Sequence, residues 1–251
     1  MKKYIILLAC ALGFSVGAKA QAQPFVAPVG TVLSYNVAAF NEKKNDTIRI
    51  TSTHTVKSAD VEGDVTKYTI EEVTQVPDSP LGARSEMNTT LFNAADGVTT
   101  FIMEEPESTR KDVIESIVTM YQEAGHPLST GDREDLEKQV TVRGQIDLAI
   151  SPDMAEGTVL PKKSLKINAG PTQFAFNMWE GKILGNEKVT TEAGEFDCLK
   201  LSYVMKINAG GQNQRYTVTE WYAPGVGTVK SVNTDKKGKV IAHEELTSIN
   251  K

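Results

Sequence analysis

Cysteine is almost missing from this chain. Cys10 and Cys198 are the two it has, and Cys10 falls in a leader-like segment, so an internal disulfide framework and a thiolate metal cluster are both excluded. Histidine is scarce as well, with three in 251 residues. Positive charge is in the minority, 27 Lys and Arg against 32 Asp and Glu, and no basic stripe interleaved with aromatics offsets it. Such a balance repels phosphate backbones, which disfavours nucleic acid and an anionic membrane surface as partners. Beyond Ala20 no apolar run approaches the roughly 18 to 20 residues that span a bilayer, so a transmembrane helix is not expected.

The N-terminus reads as an export signal. Lys2 and Lys3 supply the positive start, Tyr4 to Ala18 is uncharged, and Ala18-Lys19-Ala20 offers the small residues that signal peptidase needs. Residues 1–20 are therefore expected to be a signal peptide and residues 21–251 a single β-rich domain, exported to the periplasm or cell surface. A competing reading takes Leu7-Leu8-Ala9-Cys10 as a lipobox with Cys10 lipidated, although only Tyr4 to Ala9 would then remain as the apolar region. Cleavage after Ala20 leaves 24 basic residues against 32 acidic ones, a net charge of −8.

Short segments rich in Val, Ile, Thr and Tyr alternate with polar turns from residue 24 to 104. Strands are expected at Val32 to Phe40, Thr47 to Val56, Thr66 to Val73, Ser85 to Phe92 and Val98 to Met103. The period then changes: Val113, Ile114, Ile117, Val118, Tyr121 and Ala124 recur at three- and four-residue steps, which predicts an amphipathic helix over 108–124, with a second, more polar one at Thr130 to Lys138. Alternation resumes at Val140 to Ile150. Further strands are expected at Ser164 to Asn168, Thr172 to Trp179, Lys182 to Thr190, Glu195 to Ile207, Arg215 to Tyr222, Gly227 to Asn233 and Val240 to Ile249. Helices grouped in mid-chain argue against a parallel α/β fold. The expected class is mainly β (α+β): a large curved antiparallel sheet or open half-barrel with one or two helices on its concave face, bent at Gly144, Gly170, Gly181 and Gly185. Gly-Thr-Val-Leu occurs at 30–33 and at 157–160, too short a repeat to separate duplication from chance.

Chemistry-bearing motifs are wanting. Gly13-Phe14-Ser15-Val16-Gly17 matches a nucleophile elbow but lies in the expected leader. His54, His126 and His243 lack metal-ligand spacing, and His243-Glu244-Glu245 reads as a solvated strand face. Glu71 and Glu72, like Glu104 and Glu105, are sequence neighbours whose side chains point to opposite faces of a strand. Gly210-Gly211 has no phosphate-loop ending. No catalytic residue, metal or cofactor is expected, and Cys198 reads as a small buried hydrophobe.

Apolar faces are the positive signal. Phe174, Phe176 and Met178 share one strand face, as do Leu199, Leu201, Tyr203, Met205 and Ile207 on a longer one. Two readings stand: plain core, or the lining of a lipophilic cavity between sheet and helix, where Met and aromatic side chains adapt to flexible ligands. On the second, Val113, Ile117, Tyr121, Phe174, Phe176, Met178, Tyr203 and Met205 are the candidate ligand-binding residues.

The run from Gly185-Asn186-Glu187-Lys188-Val189-Thr190-Thr191 through Ala193-Gly194-Glu195-Phe196-Asp197-Cys198 to Glu220-Trp221-Tyr222-Ala223-Pro224-Gly225-Val226-Gly227-Thr228-Val229-Lys230 resembles the TapB-like family of Bacteroidetes envelope proteins, itself related to an uncharacterised domain-of-unknown-function family. The matching motifs cover residues 180–250, with a weaker start at Gly30-Thr31-Val32-Leu33-Ser34-Tyr35. The resemblance implies a curved half-barrel similar to lipoprotein carriers of the LolA and LolB type, in which a helix covers an apolar concavity. Asp46-Thr47-Ile48 likewise resembles the Asp-Thr-aliphatic O-glycosylation acceptor of exported proteins in that phylum, with Thr47 as the acceptor. The leading functional expectation is a non-enzymatic envelope protein binding a lipid or other apolar ligand. The alternative is an assembly module with a filled core that holds an envelope protein complex together.

Overall fold

The computed structural model describes residues 22–41, 46–76, 82–104, 106–170, 172–209 and 212–251. The expected leader with Cys10, its cleavage site and its nucleophile-elbow lookalike lie outside the described residues, as do 42–45, 77–81, Glu105 and Gly210-Gly211. In chain order the elements are β1 (Val32–Asn41), β2 (Asp46–Glu62), β3 (Val65–Gln75), β4 (Ala83–Asn93), β5 (Val98–Glu104), α1 (Pro106–Glu123), α2 (Thr130–Gln139), β6 (Val140–Ile150), β7 (Lys163–Ala169), β8 (Thr172–Thr191), β9 (Gly194–Ala209), β10 (Gln212–Ala223), β11 (Gly227–Thr234) and β12 (Val240–Asn250).

Every strand pairs antiparallel with its neighbour in sequence, and β1 also pairs with β12, from Val32 opposite Asn250 to Ala39 opposite Ala242. The sheet is thus a closed twelve-stranded barrel, which corrects the expected open half-barrel. Closure supplies hydrogen-bond partners to the two strands that an open sheet would leave as unpaired edges. One strand boundary is corrected too. The segments expected at 172–179 and 182–190 are a single strand, β8, with register shifts between Trp179 and Lys182 and between Ile183 and Gly185. Glu180 at φ 56° and Gly185 at φ 101° mark the two bulges, which bend β8 instead of ending it.

An up-and-down meander puts alternate connections at opposite ends. The end where β1 begins is closed by residues 22–31. Phe25 is fully buried, its amide donates to Thr99 Oγ1 at 3.1 Å, and its ring meets Tyr222 edge-on at 6.1 Å. Gly225 N donates to Pro24 O and Gly30 N to Val56 O, which ties this segment to two walls. Above this floor Ile146, Leu148, Ile150, Leu165, Met178, Leu201 and Tyr203 fill the β6–β9 side, and Leu33, Tyr35, Val56 and Leu246 form a second cluster opposite. Cys198 is buried in a third cluster with Val189, Trp221, Ala223 and Val229.

The other end carries α1 and α2, since they follow β5 and lead into β6. Pro106 starts α1, where its missing amide costs nothing. Ser129 caps α2 through a capping box with Asp132. Ile114 of α1 packs on the inward-facing Val140 and Ala169 at the tops of β6 and β7, with Ile117, Val118 and Leu136 around it. Arg110 fastens the arrangement, donating from Nε to Val140 O at 3.0 Å and from Nη2 to Glu137 O. The helices therefore sit at the barrel mouth against one stretch of wall; they do not line a broad concave face.

Candidate functional site

The wall beside α1 is incomplete. β5 pairs with β4 from Thr89 to Asn93 and with β6 from Ile146 to Ile150, so the upper halves of both neighbours extend past it. Ala83–Asn88 pairs with β3, and Val140–Gln145 pairs with β7. Gly144 makes the divergence: at φ 87° it bends β6 where β5 leaves it, and a Cβ there would lie 2.0 Å from Ser164 O. A slit is left between β4 and β6, and the chain enters it as α1.

Two clefts flank α1 inside this opening. One, of about 570 Å³, lies between Ser108, Asp112, Val113 and Ser116 of the helix and Arg84–Thr89, Ile102, Met103, Ile167, Phe174 and Phe176 of the walls. The other, of about 690 Å³, is bounded by Val113, Ile117, Met120, Tyr121, Leu128, Leu136, Ala169 and Phe174. They share Val113, Ser116 and Phe174. A third cavity of about 330 Å³ lies deeper, and Glu86, Asn88, Thr89, Ile102 and Met103 belong to its wall as well as to the first cleft's. Of the candidate ligand-binding residues, Val113, Ile117, Tyr121, Phe174 and Phe176 come together around α1. Met178, Tyr203 and Met205 are buried in the packed core of the β8–β9 wall, against which Val113, Phe174 and Phe176 pack.

The deep cavity is apolar at its base, with Phe25, Leu33, Val56, Ile70 and Phe101, and polar above. Glu72 faces inward from β3. Its Oε2 accepts from Asn88 Nδ2 at 2.9 Å, and its Oε1 accepts from Ser52 Oγ at 3.4 Å and Thr74 Oγ1 at 3.3 Å. His54, with Nε2 3.7 Å from Glu72 Oε2, and these donors hold the carboxyl below its usual range despite burial. His54 also packs on Tyr35 with ring centroids 4.5 Å apart. Across the lumen Glu220 accepts from Tyr222 Oη at 2.9 Å. It keeps a little accessible surface but is crowded by protein, and that desolvation pushes its carboxyl up to about 7, with the nearby Glu244 adding to the rise. Glu244 is itself raised by burial.

Glu71 and Glu72 lie on opposite faces as expected, but Glu220 escaped the sequence reading, and His243-Glu244-Glu245 is not a uniformly solvated face: Glu244 points into the lumen while His243 and Glu245 meet outside it at 3.2 Å. The available signal was strand parity. Glu220 falls in step with Val218 and Tyr222, Glu72 with Ile70, and Glu244 with Leu246, all inward positions.

The arrangement lacks the contacts of a hydrolytic relay. Ser52 Oγ donates to Glu72 and is 2% exposed, so it neither bonds His54 nor reaches a substrate. His126 is exposed beyond α1. Among the described residues there is no cluster of His, Cys, Asp or Glu able to hold a metal ion, and no helix long and apolar enough to cross a membrane. Thr47 is exposed near the start of β2, its amide donating to Asp46 Oδ1 at 2.7 Å.

The DUF3108-like family matches residues 52–246, from within β2 to within β12. The chain belongs to this family. The match names that broader family and not the TapB-like one suggested by the C-terminal motifs. No curated protein matches the chain in sequence. Among solved structures, a Bacteroides fragilis protein described as exported and as having a YmcC-like fold is similar over 92% of this chain and 100% of its own, at 18% identity and a TM-score of 0.61. A Parabacteroides distasonis protein described as a lipoprotein is similar over 91% of this chain and 99% of its own, at 15% identity and a TM-score of 0.63. At such identities the likeness is one of fold.

Proposed function

We propose that this protein is a non-enzymatic binding protein of the bacterial envelope that takes an apolar or amphiphilic ligand into the barrel mouth beside α1. The observation that carries the reading is the pair of clefts sharing Val113, Ser116 and Phe174, set where the wall opens between β4 and β6. Together they provide the concave, largely apolar volume that a small hydrophobic ligand needs. The leader-like N-terminus and the exported and lipoprotein descriptions of the two structural relatives support an envelope location. A second reading, an assembly module, has the unpaired upper edge of β4 in its favour. Charged Arg84 and Glu86 on that edge, joined at 2.7 Å, discourage strand addition and weaken it.

Nile red, a neutral dye that brightens in apolar surroundings, tests the binding reading. Wild-type protein is expected to take it up, and Phe174→Asp, which puts a charge between both clefts at a partly exposed site, is expected to abolish uptake while the far-ultraviolet dichroism is unchanged. Absence of uptake by the wild-type protein refutes it.

A further inference from the structure

The mouth and lumen are predominantly acidic. The residues lining the three clefts include four carboxylates, Glu72, Glu86, Asp112 and Asp132, against one arginine, Arg84, which is engaged by Glu86 at the rim, and one histidine, His54, which faces Glu72. Deeper in the lumen Glu220 and Glu244 add two more inward-facing carboxyls, both of which burial shifts toward the neutral form. Low-dielectric walls with an excess of one sign focus the field, so the ionised acids of the lining act together on whatever enters. Glu72 has three hydrogen bonds donated to it, and His54 Nε2 faces its Oε2 at 3.7 Å, longer than a hydrogen bond, which leaves one of the carboxylate's four lone-pair sites without a bonded donor. The apolar surfaces of Val113, Phe174, Phe176 and Met103 lie toward the mouth, above this carboxylate.

We propose that the ligand is an amphiphile with a cationic, hydrogen-bond-donating head: its ammonium seats at Glu72 in the deep cavity and its chain lies in the clefts beside α1. This rests on the binding function proposed above and deepens it. An ammonium supplies donors and charge that Glu72 can use, and charge-assisted bonds of this kind are roughly twice as strong as neutral ones. A fatty acid or other anionic amphiphile of the same length brings a further carboxylate into an acidic lumen whose lining cations, Arg84 and His54, already face Glu86 and Glu72. Selection against anionic lipids follows from that repulsion as much as from attraction for the ammonium.

Competition for bound Nile red by decylammonium, decan-1-ol and decanoate at pH 7 and low ionic strength, each below its micelle threshold, tests the assignment. Decylammonium is expected to displace the dye at a concentration at least tenfold below that of decanoate, with decanol between them. Raising the salt should shrink the preference, and Glu72→Gln, which keeps an oxygen to accept from Asn88, should reduce it severalfold. Equal or better displacement by decanoate from the wild-type protein overturns the cationic-head assignment while leaving the binding function standing. Failure of all three amphiphiles, or of the dye itself, overturns both. Because the preference is read first on the wild-type protein, a Gln variant that folds poorly does not blunt the test.

Discussion

Glu220 makes the stability of the barrel depend on pH in a direction opposite to that of most carboxylates. In the folded protein its carboxyl holds a proton up to about pH 7, whereas in the unfolded chain it ionises near its ordinary value of 4.5. Between those values the native state binds more protons than the unfolded state, so stability falls as pH rises through the window and is regained on acidification. A rise from 4.5 to about 7 corresponds to about 3 kcal/mol lost by pH 8.5, taken as an order of magnitude. Glu220→Gln removes the ionisation while its amide oxygen still accepts from Tyr222 Oη. Urea unfolding of both proteins at pH 5 and at pH 8.5 reads the difference directly. The variant is expected to be about as stable as wild type at pH 5 and roughly 2 to 3 kcal/mol more stable at pH 8.5. Glu244, raised in the same direction by burial, is present in both proteins, so only its coupling to Glu220 enters the comparison. Glu72, held low, loses its contribution only as pH falls below its unfolded value, outside this window. If the variant loses stability between pH 5 and 8.5 as steeply as wild type does, Glu220 is not a desolvated lumenal acid and the reasoning fails.

Other outcomes follow from particular side chains. Phe25→Ala empties a fully buried site between the floor segment and Tyr222, and calorimetry should show a loss of about 3 to 5 kcal/mol. Gly144→Ala forces a side chain into a left-handed backbone 2.0 Å from Ser164 O; a cost above roughly 3 kcal/mol, read as a fall in urea midpoint, is expected, and a neutral substitution would deny the bend. Burial, followed by the charges of Asp197 and Glu187, pushes the Cys198 thiol up to about 12, so a disulfide reagent at pH 8 should label it only after unfolding.

Local pattern carried most of the fold. The alternation in Val140 to Ile150 gave β6 its bounds, and the three- and four-residue steps of Val113, Ile114 and Ile117 gave α1, because both signals are contained in one segment. Closure was a different matter. It rests on Val32 meeting Asn250 and Ala39 meeting Ala242, pairings between the two ends of the chain that no local period encodes. The bent strand β8 failed for a related reason: Glu180 and Gly181 look like a turn, and only the continued pairing of β9 on both sides of the bulge shows that the strand goes on.

The candidate site divides along the same line. Phe174 and Phe176 stood out as an apolar strand face, and Val113 and Ile117 as an apolar helix face, but whether those faces meet in a cleft or in a packed core is decided by the short reach of β5, which leaves the upper wall open. Met178, Tyr203 and Met205 had the same sequence signature, yet they lie where the wall is complete and the space is filled. The lumenal acids show the converse. A charged residue at an inward parity position is a local observation, available for Glu72, Glu220 and Glu244 without any structure, and it carries meaning only once the inward face is known to enclose a lumen. An apolar residue at Glu220 would avoid the desolvation that the pH experiment measures, and the neighbouring floor of Phe25, Val56 and Leu246 proves that this lumen accommodates apolar packing. The carboxylates are therefore not demanded by the fold, and the cationic-head competition asks whether they are instead the part of the lumen that chooses what enters it.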